Sequence, residues 1–327
     1  MTATQMITTI GNTEVISVEN FGDTTIEGFI ASRHSAPNTQ KTYRSSVRQL
    51  LKFFKVNNIT APATADVDAY INSLRAAKKS DKTIRLYSTT MKLYFAYLEK
   101  QGIYRDVAAD MEPLKLRKAT THNKKSLSDM QAKKLLAVFK GDDIISLRNK
   151  AIIALCLTCG LRTVEVARAN VGDFHEDDGY WTLDVIGKGH QQADATVKVA
   201  TPVAEMIQAY LDKRGSVCDD EPMFTSVSHN VNWKNNSYGV RYSEQSVGKM
   251  IKAAMKDAGI TDKKITAHST RHYAATTAIK RGVDLREVSA MLRHASLNVT
   301  MTYLHDLSLQ TRRAELAVAD SLFGGVA

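Results

Sequence analysis

The chain has 327 residues with 43% hydrophobic and 24% charged side chains, which excludes wholesale disorder and, at about 150 residues per domain, suggests two domains. No run approaches the roughly 18 apolar residues of a membrane-spanning helix, and the N-terminus has neither the basic nor the apolar region of a secretory signal. Three cysteines are too few for a disulfide framework, so a reducing cytoplasm is expected, and 44 Lys and Arg against 34 Asp and Glu favour a polyanionic partner, most simply nucleic acid.

Residues 1–20 are polar and weakly periodic and read as an arm. Helical spacing begins at Thr24 with Ile26, Phe29 and Ile30. Asn38 or Thr39 is expected to cap a longer helix through Tyr43, Val47, Leu50, Leu51 and Phe54. A third helix runs from Thr64 through Val67, Tyr70, Ile71 and Leu74. A fourth opens at Ser80, carries Ile84, Tyr87, Met91, Tyr94, Phe95 and Leu98, and stops at Gly102. Residues 21–110 thus read as one helical domain. Residues 111–126 read as a linker, rich in Lys115, Arg117, Lys118, Lys124 and Lys125; such a segment is extended by self-repulsion and has the sign to lie along phosphate.

The rest, 127–327, reads as a second domain. Helices are expected at Ser128–Val138 and Ser146–Cys159, the latter apolar enough to be buried. Trp181–Ile186 and Ala195–Ala200 then alternate with period two, which predicts a β-hairpin with Lys188 at its tip. Further helices are expected at Pro202–Lys213, Ser243–Ala258, Ser269–Gly282, Asp284–Leu292 and Ser308–Leu322. The fold class is therefore mainly α, with a small sheet in the second domain.

Several chemistries have no support. A phosphate loop of the GxxxxGK[ST] type is missing, as is any carboxylate cluster at metal-site spacing. Cys156 and Cys159 lie in an apolar helix without a second pair and read as core. His268 and His272 are four apart, but Ser269 stands where a metalloprotease has its glutamate. What remains is a dispersed cationic set and a tyrosine: Arg162 in CGLRTVEVA, Lys188 in the hairpin, His268 and Arg271 in an H-x-x-R, His294 in MLRHAS, and Tyr303 in VTMTYLHD.

In this order and spacing the set resembles the tyrosine recombinase (phage integrase) family. CGLRTVEV is similar to the family's GLR-x-x-E box, and HSTRHYAATTAIKRGVDLREVSAMLRHASLNVTMTYLH is similar to its second box. The resemblance is strong over about 125–327; the N-terminal unit resembles the family's core-binding domain without signature residues. The layout is the two-domain, Xer-like clamp on DNA.

The resemblance implies site-specific recombination. Arg162 and Arg271 would fork onto the nonbridging oxygens of a scissile phosphate, where charge grows in the transition state. His294 would add a hydrogen bond. Tyr303 would attack phosphorus, leaving a 3′-phosphotyrosyl bond and a free 5′-hydroxyl. A phenol of pKa about 10 needs help to lose its proton; by analogy His268 gives it, and Lys188 protonates the leaving oxygen. Glu165, one turn from Arg162, would orient the cations. Such chemistry needs no cofactor and no metal. Strand exchange would pass through a Holliday junction on specific double-stranded sites, in a homotetramer or with a partner recombinase, away from any membrane.

Three positions depart from the family pattern. Thr270 stands for leucine, His190-Gln-Gln follows the hairpin where a second basic residue is common, and Arg293 replaces the glycine before His294. Arg293 adds charge that meets either DNA or a carboxylate. DNA contacts are expected from Lys41, Arg44 and Arg48 on one helix, from Lys82 and Arg85 at the start of another, from Lys115, Arg117 and Lys118 in the linker, and from Arg241. The amphipathic tail AELAVADSLFGG is expected to dock on a neighbouring protomer or on its own. A type IB topoisomerase and a non-catalytic DNA-binding protein are the alternatives; the full catalytic set and the H-x-x-R histidine argue against them.

Overall fold

The computed structural model describes residues 8–9, 14–15, 21–111, 125–187, 190–215, 217–226 and 240–303. The chain separates into two compact units, Met1–Ala119 and Thr120–Ala327. Short antiparallel strands β1 (Thr8–Thr9) and β2 (Glu14–Val15) pair within the expected arm.

The first unit is helical: α1 (Asp23–Ala31), α2 (Pro37–Val56), α3 (Thr64–Ala76) and α4 (Asp81–Lys100). Ile26, Phe29, Val47, Leu50, Phe54, Val67, Ile71, Tyr94, Phe95 and Leu98 close one core, as their 3–4 spacing requires. Burying each Leu or Phe side chain contributes about 1.5–3 kcal/mol, against the conformational entropy lost on folding. Ser80 caps α4, its Oγ accepting from the Thr83 N–H at 3.2 Å. Gly102 follows the helix with φ +67°, a conformation glycine adopts without steric cost. The start of α2 differs from expectation. Pro37 occupies its first turn and Ala36 is the N-cap, because proline has no N–H to satisfy and already holds a helical φ. Beyond α4, Tyr104, Val107, Ala108 and Met111 join the core.

The second unit contains α5 (Asp129–Leu136), α6 (Ile144–Thr158), α7 (Thr163–Arg168), β3 (Phe174–Asp177), β4 (Tyr180–Val185), β5 (Ala195–Lys198), α8 (Thr201–Arg214), α9 (Glu244–Asp257), α10 (His268–Lys280), α11 (Leu285–Met291) and α12 (Leu297–Met301). Helix α6 starts earlier than expected, since Asp143 rather than Ser146 caps it, accepting from the Ile145 and Ser146 N–H groups at 3.0 Å. Its run Ala151–Leu157 is apolar and buried throughout, and the helix packs against α8 and α10. Cys156 and Cys159 belong to this core, and burial pushes the Cys156 thiol up to about 12, which keeps it protonated.

The expected hairpin is β4–β5, with Leu183 facing Val197. A third strand, β3, pairs antiparallel with β4, so the sheet order is β3-β4-β5. Its sequence, FHED, carries one buried residue and three exposed ones, too little alternation to announce a strand. Phe174 stacks on Trp181 at 4.8 Å and fixes the register. Helices α7 and α12 are too short to show a period. The expected helix at Ser308–Leu322 and the tail AELAVADSLFGG lie outside the described residues.

Candidate active site

The site is built where four chain segments meet. Helix α6 ends at Cys159, and Gly160 turns the chain with φ +59°. A Cβ there would approach Leu292 Cδ2 to 2.7 Å, so both the turn and the close approach require glycine. Arg162 follows as the N-cap of α7. Glu165, three residues on, reaches back: its Oε2 accepts from the Arg162 N–H at 2.7 Å and its Oε1 from Arg162 Nη1 at 2.6 Å. A GLR-x-x-E spacing is thus a helix start that ties its arginine to its glutamate.

Arg271 enters from the first turn of α10 and is 1% exposed. Nη1 donates to the Gly160 carbonyl at 2.6 Å, and Nη2 donates to the Leu292 carbonyl. Its guanidinium lies 3.9 Å from Glu165 Oε2. Burial, and then the positive Arg162, bring its pKa down to about 10, which still leaves it charged at neutral pH.

Arg293 supplies the third cation. It meets a carboxylate: Nη2 donates to Glu165 Oε2 at 2.7 Å and Nε to Oε1 at 3.4 Å. Its backbone has φ +53°, in the left-handed region that costs a non-glycine residue about 1–2 kcal/mol. Burial pushes the Glu165 carboxyl up, but the charge and hydrogen bonds of Arg293, joined by those of Arg162, outweigh it and hold Glu165 below its ordinary range. Glu165 is therefore the common counter-ion of the cluster.

His294 follows Arg293 and is half-buried. Its pKa is driven down to about 4 by burial, then by Arg271, Arg162, Arg293 and His268, so the ring is neutral at pH 7. Nδ1 sits 2.7 Å from Thr300 Oγ1. A neutral imidazole so engaged carries its other nitrogen toward a further partner. Tyr303, directly after α12, is 2% exposed and packs with Ala275, Val288 and Leu292. Its ring stacks on His294 at 5.9 Å and 4°, and meets His272 edge-on at 4.8 Å. His268 is exposed and lies edge-on to His272 at 5.1 Å.

Arg162, Glu165, His268, Arg271, His294 and Tyr303 are thus brought together. Lys188 lies outside the described residues, as do Lys115, Arg117 and Lys118. The residues flanking Lys188 are held: Arg168 Nη1 donates to the Gly187 carbonyl at 2.9 Å and to the His190 carbonyl at 3.0 Å. Among the described residues no His, Cys, Asp and Glu group could hold a metal ion, and no helix is long and apolar enough to cross a membrane.

Sequence reasoning missed two contributors. His272 is the ring between His268 and Tyr303; its i, i+4 spacing from His268 was the available signal. Arg293 was visible as a departure from glycine, but not its partner.

Arg241 is engaged by the protein's own backbone. Nη1 donates to the carbonyls of Ala167, Arg168 and Ala169 at 2.9–3.1 Å, and Nη2 to Asn170 Oδ1 at 2.5 Å. It closes the C-terminal end of α7, whose last carbonyls have no helical partner. Arg44 is bidentate to Glu27 and Arg48 is bonded to Asp23, whereas Lys41, Lys82 and Arg85 are exposed.

This chain belongs to the phage integrase family. It matches that family over residues 125–309, and residues 26–102 match its N-terminal SAM-like domain. Its relatives narrow the class to tyrosine recombinases of the Xer type. It is 28% identical to the tyrosine recombinase XerA of Pyrococcus furiosus over 302 residues, covering 92% of this chain and 96% of that protein. It is 29% identical to XerD of Oceanobacillus iheyensis over 279 residues, 84% of this chain and 89% of that one. The fold is shared with XerH bound to palindromic difH (TM-score 0.67, 19% identity, 91% and 84% of the two chains). It is also shared with a lambda integrase tetramer on a Holliday junction (TM-score 0.64, 16% identity, 88% and 77%).

Proposed function

We propose that Tyr303 is the nucleophile of a site-specific DNA recombinase. The chain is a DNA-cleaving and rejoining enzyme of the tyrosine recombinase type, and the following roles are proposed for its residues. The observation that carries the reading is the stack of Tyr303 on a neutral His294, beside Arg162, bonded to the buried Glu165 carboxylate, and Arg271, 3.9 Å from it.

The Tyr303 oxygen attacks phosphorus as the bond to the 5′-oxygen breaks, leaving a 3′-phosphotyrosyl link and a 5′-hydroxyl. Arg162 and Arg271 meet the nonbridging oxygens. Cations fixed in advance need no reorganisation as charge develops, which is where electrostatic catalysis gains most. His294 donates a hydrogen bond from the nitrogen not engaged by Thr300. His268 accepts the phenol proton, His272 packs edge-on against both rings, and Lys188 delivers a proton to the leaving oxygen. A second strand's hydroxyl then reverses the step, so phosphodiester energy is conserved.

The relatives support the partners. XerH is bound to its difH substrate and lambda integrase forms a tetramer on a Holliday junction. The same partners are proposed here: duplex DNA with specific sites and four protomers, with a second recombinase as a variant. Residues 21–110 act as the core-binding domain, 111–126 as the basic linker and 127–327 as the catalytic domain with its docking tail, working in the cytoplasm.

The test uses plasmids carrying two direct copies of the DNA flanking the gene. Recombination resolves each into two smaller circles and leaves plasmids without those copies supercoiled. Relaxation of any plasmid, with no resolved circles, would mean a topoisomerase.

A further inference from the structure

Arg293 has an environment unlike that of a DNA-contacting arginine. Its side chain is 7% exposed. Besides Glu165, it donates from Nη1 to the Met291 carbonyl at 2.6 Å and from Nη2 to the Gly160 carbonyl at 3.5 Å. Its own carbonyl accepts from Arg162 Nη2 at 3.5 Å. One residue therefore touches the end of α11, the glycine turn after α6, the carboxylate of α7 and the guanidinium of Arg162, and it is bonded covalently to His294.

The contest for Glu165 is the informative part. Arg293 Nη2 holds Oε2 at 2.7 Å, while Arg271 stands off the same oxygen at 3.9 Å. Arg271 is held instead by the neutral carbonyls of Gly160 and Leu292. A guanidinium bound to carbonyls keeps its full charge available to an incoming phosphate. Arg162, bonded to Glu165 at 2.6 Å, shares part of its charge with that carboxylate. The left-handed backbone at Arg293 has the same meaning: a strained conformation persists where surrounding contacts over-determine it.

We propose that Arg293 is a positioning residue which occupies Glu165, keeps Arg271 from closing onto that carboxylate, and so holds Arg271 and His294 ready for the scissile phosphate. This rests on the recombinase reading above. Arg293 itself touches neither DNA nor the reacting atoms.

Four variants test it: Arg293→Gly, which also relieves the backbone, Arg293→Lys, which keeps the charge but loses the fork, Glu165→Gln, and Arg293→Gly combined with Glu165→Gln. Each is compared with wild type in single-turnover formation of the covalent DNA adduct, in DNA affinity, and in thermal melting. Arg293→Gly is expected to slow adduct formation by about 10- to 100-fold, the scale of a misplaced catalytic group, with affinity within about twofold. Arg293→Lys should recover part of the rate. In the Glu165→Gln background, Arg293→Gly should cost at most about threefold more, because no carboxylate remains to capture Arg271.

A wild-type rate in Arg293→Gly would overturn the proposal. So would affinity falling in step with the rate, which would make Arg293 a DNA contact, or full additivity in the double variant. If Arg293→Gly melts below the assay temperature, Arg293→Lys decides: slower cleavage at unchanged affinity supports the proposal, and a wild-type rate overturns it. A wild-type protein that forms no adduct on any site would instead remove the recombinase reading, and this inference with it.

Discussion

Glu165 and Arg293 stand 128 residues apart in sequence, yet their carboxylate and guanidinium meet at 2.7 Å with Glu165 only 2% exposed. That contact joins the two sequence boxes of the site. It also makes one buried anion the anchor of Arg162 and Arg293, with Arg271 3.9 Å away.

Removing that anion should therefore be costly. Breaking a buried pair by deleting one partner typically destabilises by about 3–5 kcal/mol, because charge is left uncompensated. Glu165→Ala is expected to fall in that range by denaturant unfolding. Loss of under about 1 kcal/mol would mean the arginines find other partners.

The same pair sets an acid limit. Glu165 has a folded pKa below its unfolded value, so its contribution to stability is complete above about pH 4.3 and is lost as pH falls through the folded pKa. The wild type should lose stability on acidification below about pH 4.3, and Glu165→Gln should lack that part of the slope. Melting temperatures recorded from pH 7 to pH 3 would show it.

Gly160 carries two constraints at once, a positive φ and a 2.7 Å approach to Leu292 Cδ2. Gly160→Ala should destabilise by about 1–3 kcal/mol and slow DNA cleavage, since the Gly160 carbonyl also holds Arg271. Full stability in this variant would contradict the packing described.

Much of the fold was legible in the sequence because it depends on local rules. Ser80, Gly102 and the 3–4 spacing from Ile84 to Leu98 define α4 without reference to anything distant. The order from Arg162 to Tyr303 also identified the site. What stayed hidden depends on long-range contact. Strand β3 is formed by its pairing with β4, to which the stacking of Phe174 on Trp181 adds, and FHED does not alternate. Arg241 looked like a DNA contact because its partners, the carbonyls of Ala167 to Ala169, lie over 70 positions away. Arg293 announced itself only by replacing glycine.

Arg241 and the exposed pair Lys82 and Arg85 are separable by salt. Arg241→Ala removes hydrogen bonds from a helix end and should lower stability by about 1–3 kcal/mol, leaving the salt dependence of DNA binding unchanged. Lys82→Ala and Arg85→Ala should leave stability within about 0.5 kcal/mol and each reduce the salt slope by about one. The opposite pattern would return Arg241 to the DNA surface.

Tyr303 is buried in the protein alone, whereas Tyr180 is 54% exposed. Nitration by tetranitromethane should therefore modify Tyr180 well before Tyr303, as peptide mapping would reveal. Equal rates would mean that the packing of Tyr303 against His272 and His294 is not kept in solution.

The most direct test is covalent capture. Nicked duplexes from the DNA flanking the gene, cut so that the released strand diffuses away, are incubated with the protein in EDTA and then denatured. An SDS-resistant adduct on a few specific sites, mapped to Tyr303 and absent from Tyr303→Phe, is the predicted result. An adduct at another residue, or one that survives in Tyr303→Phe, would contradict the account.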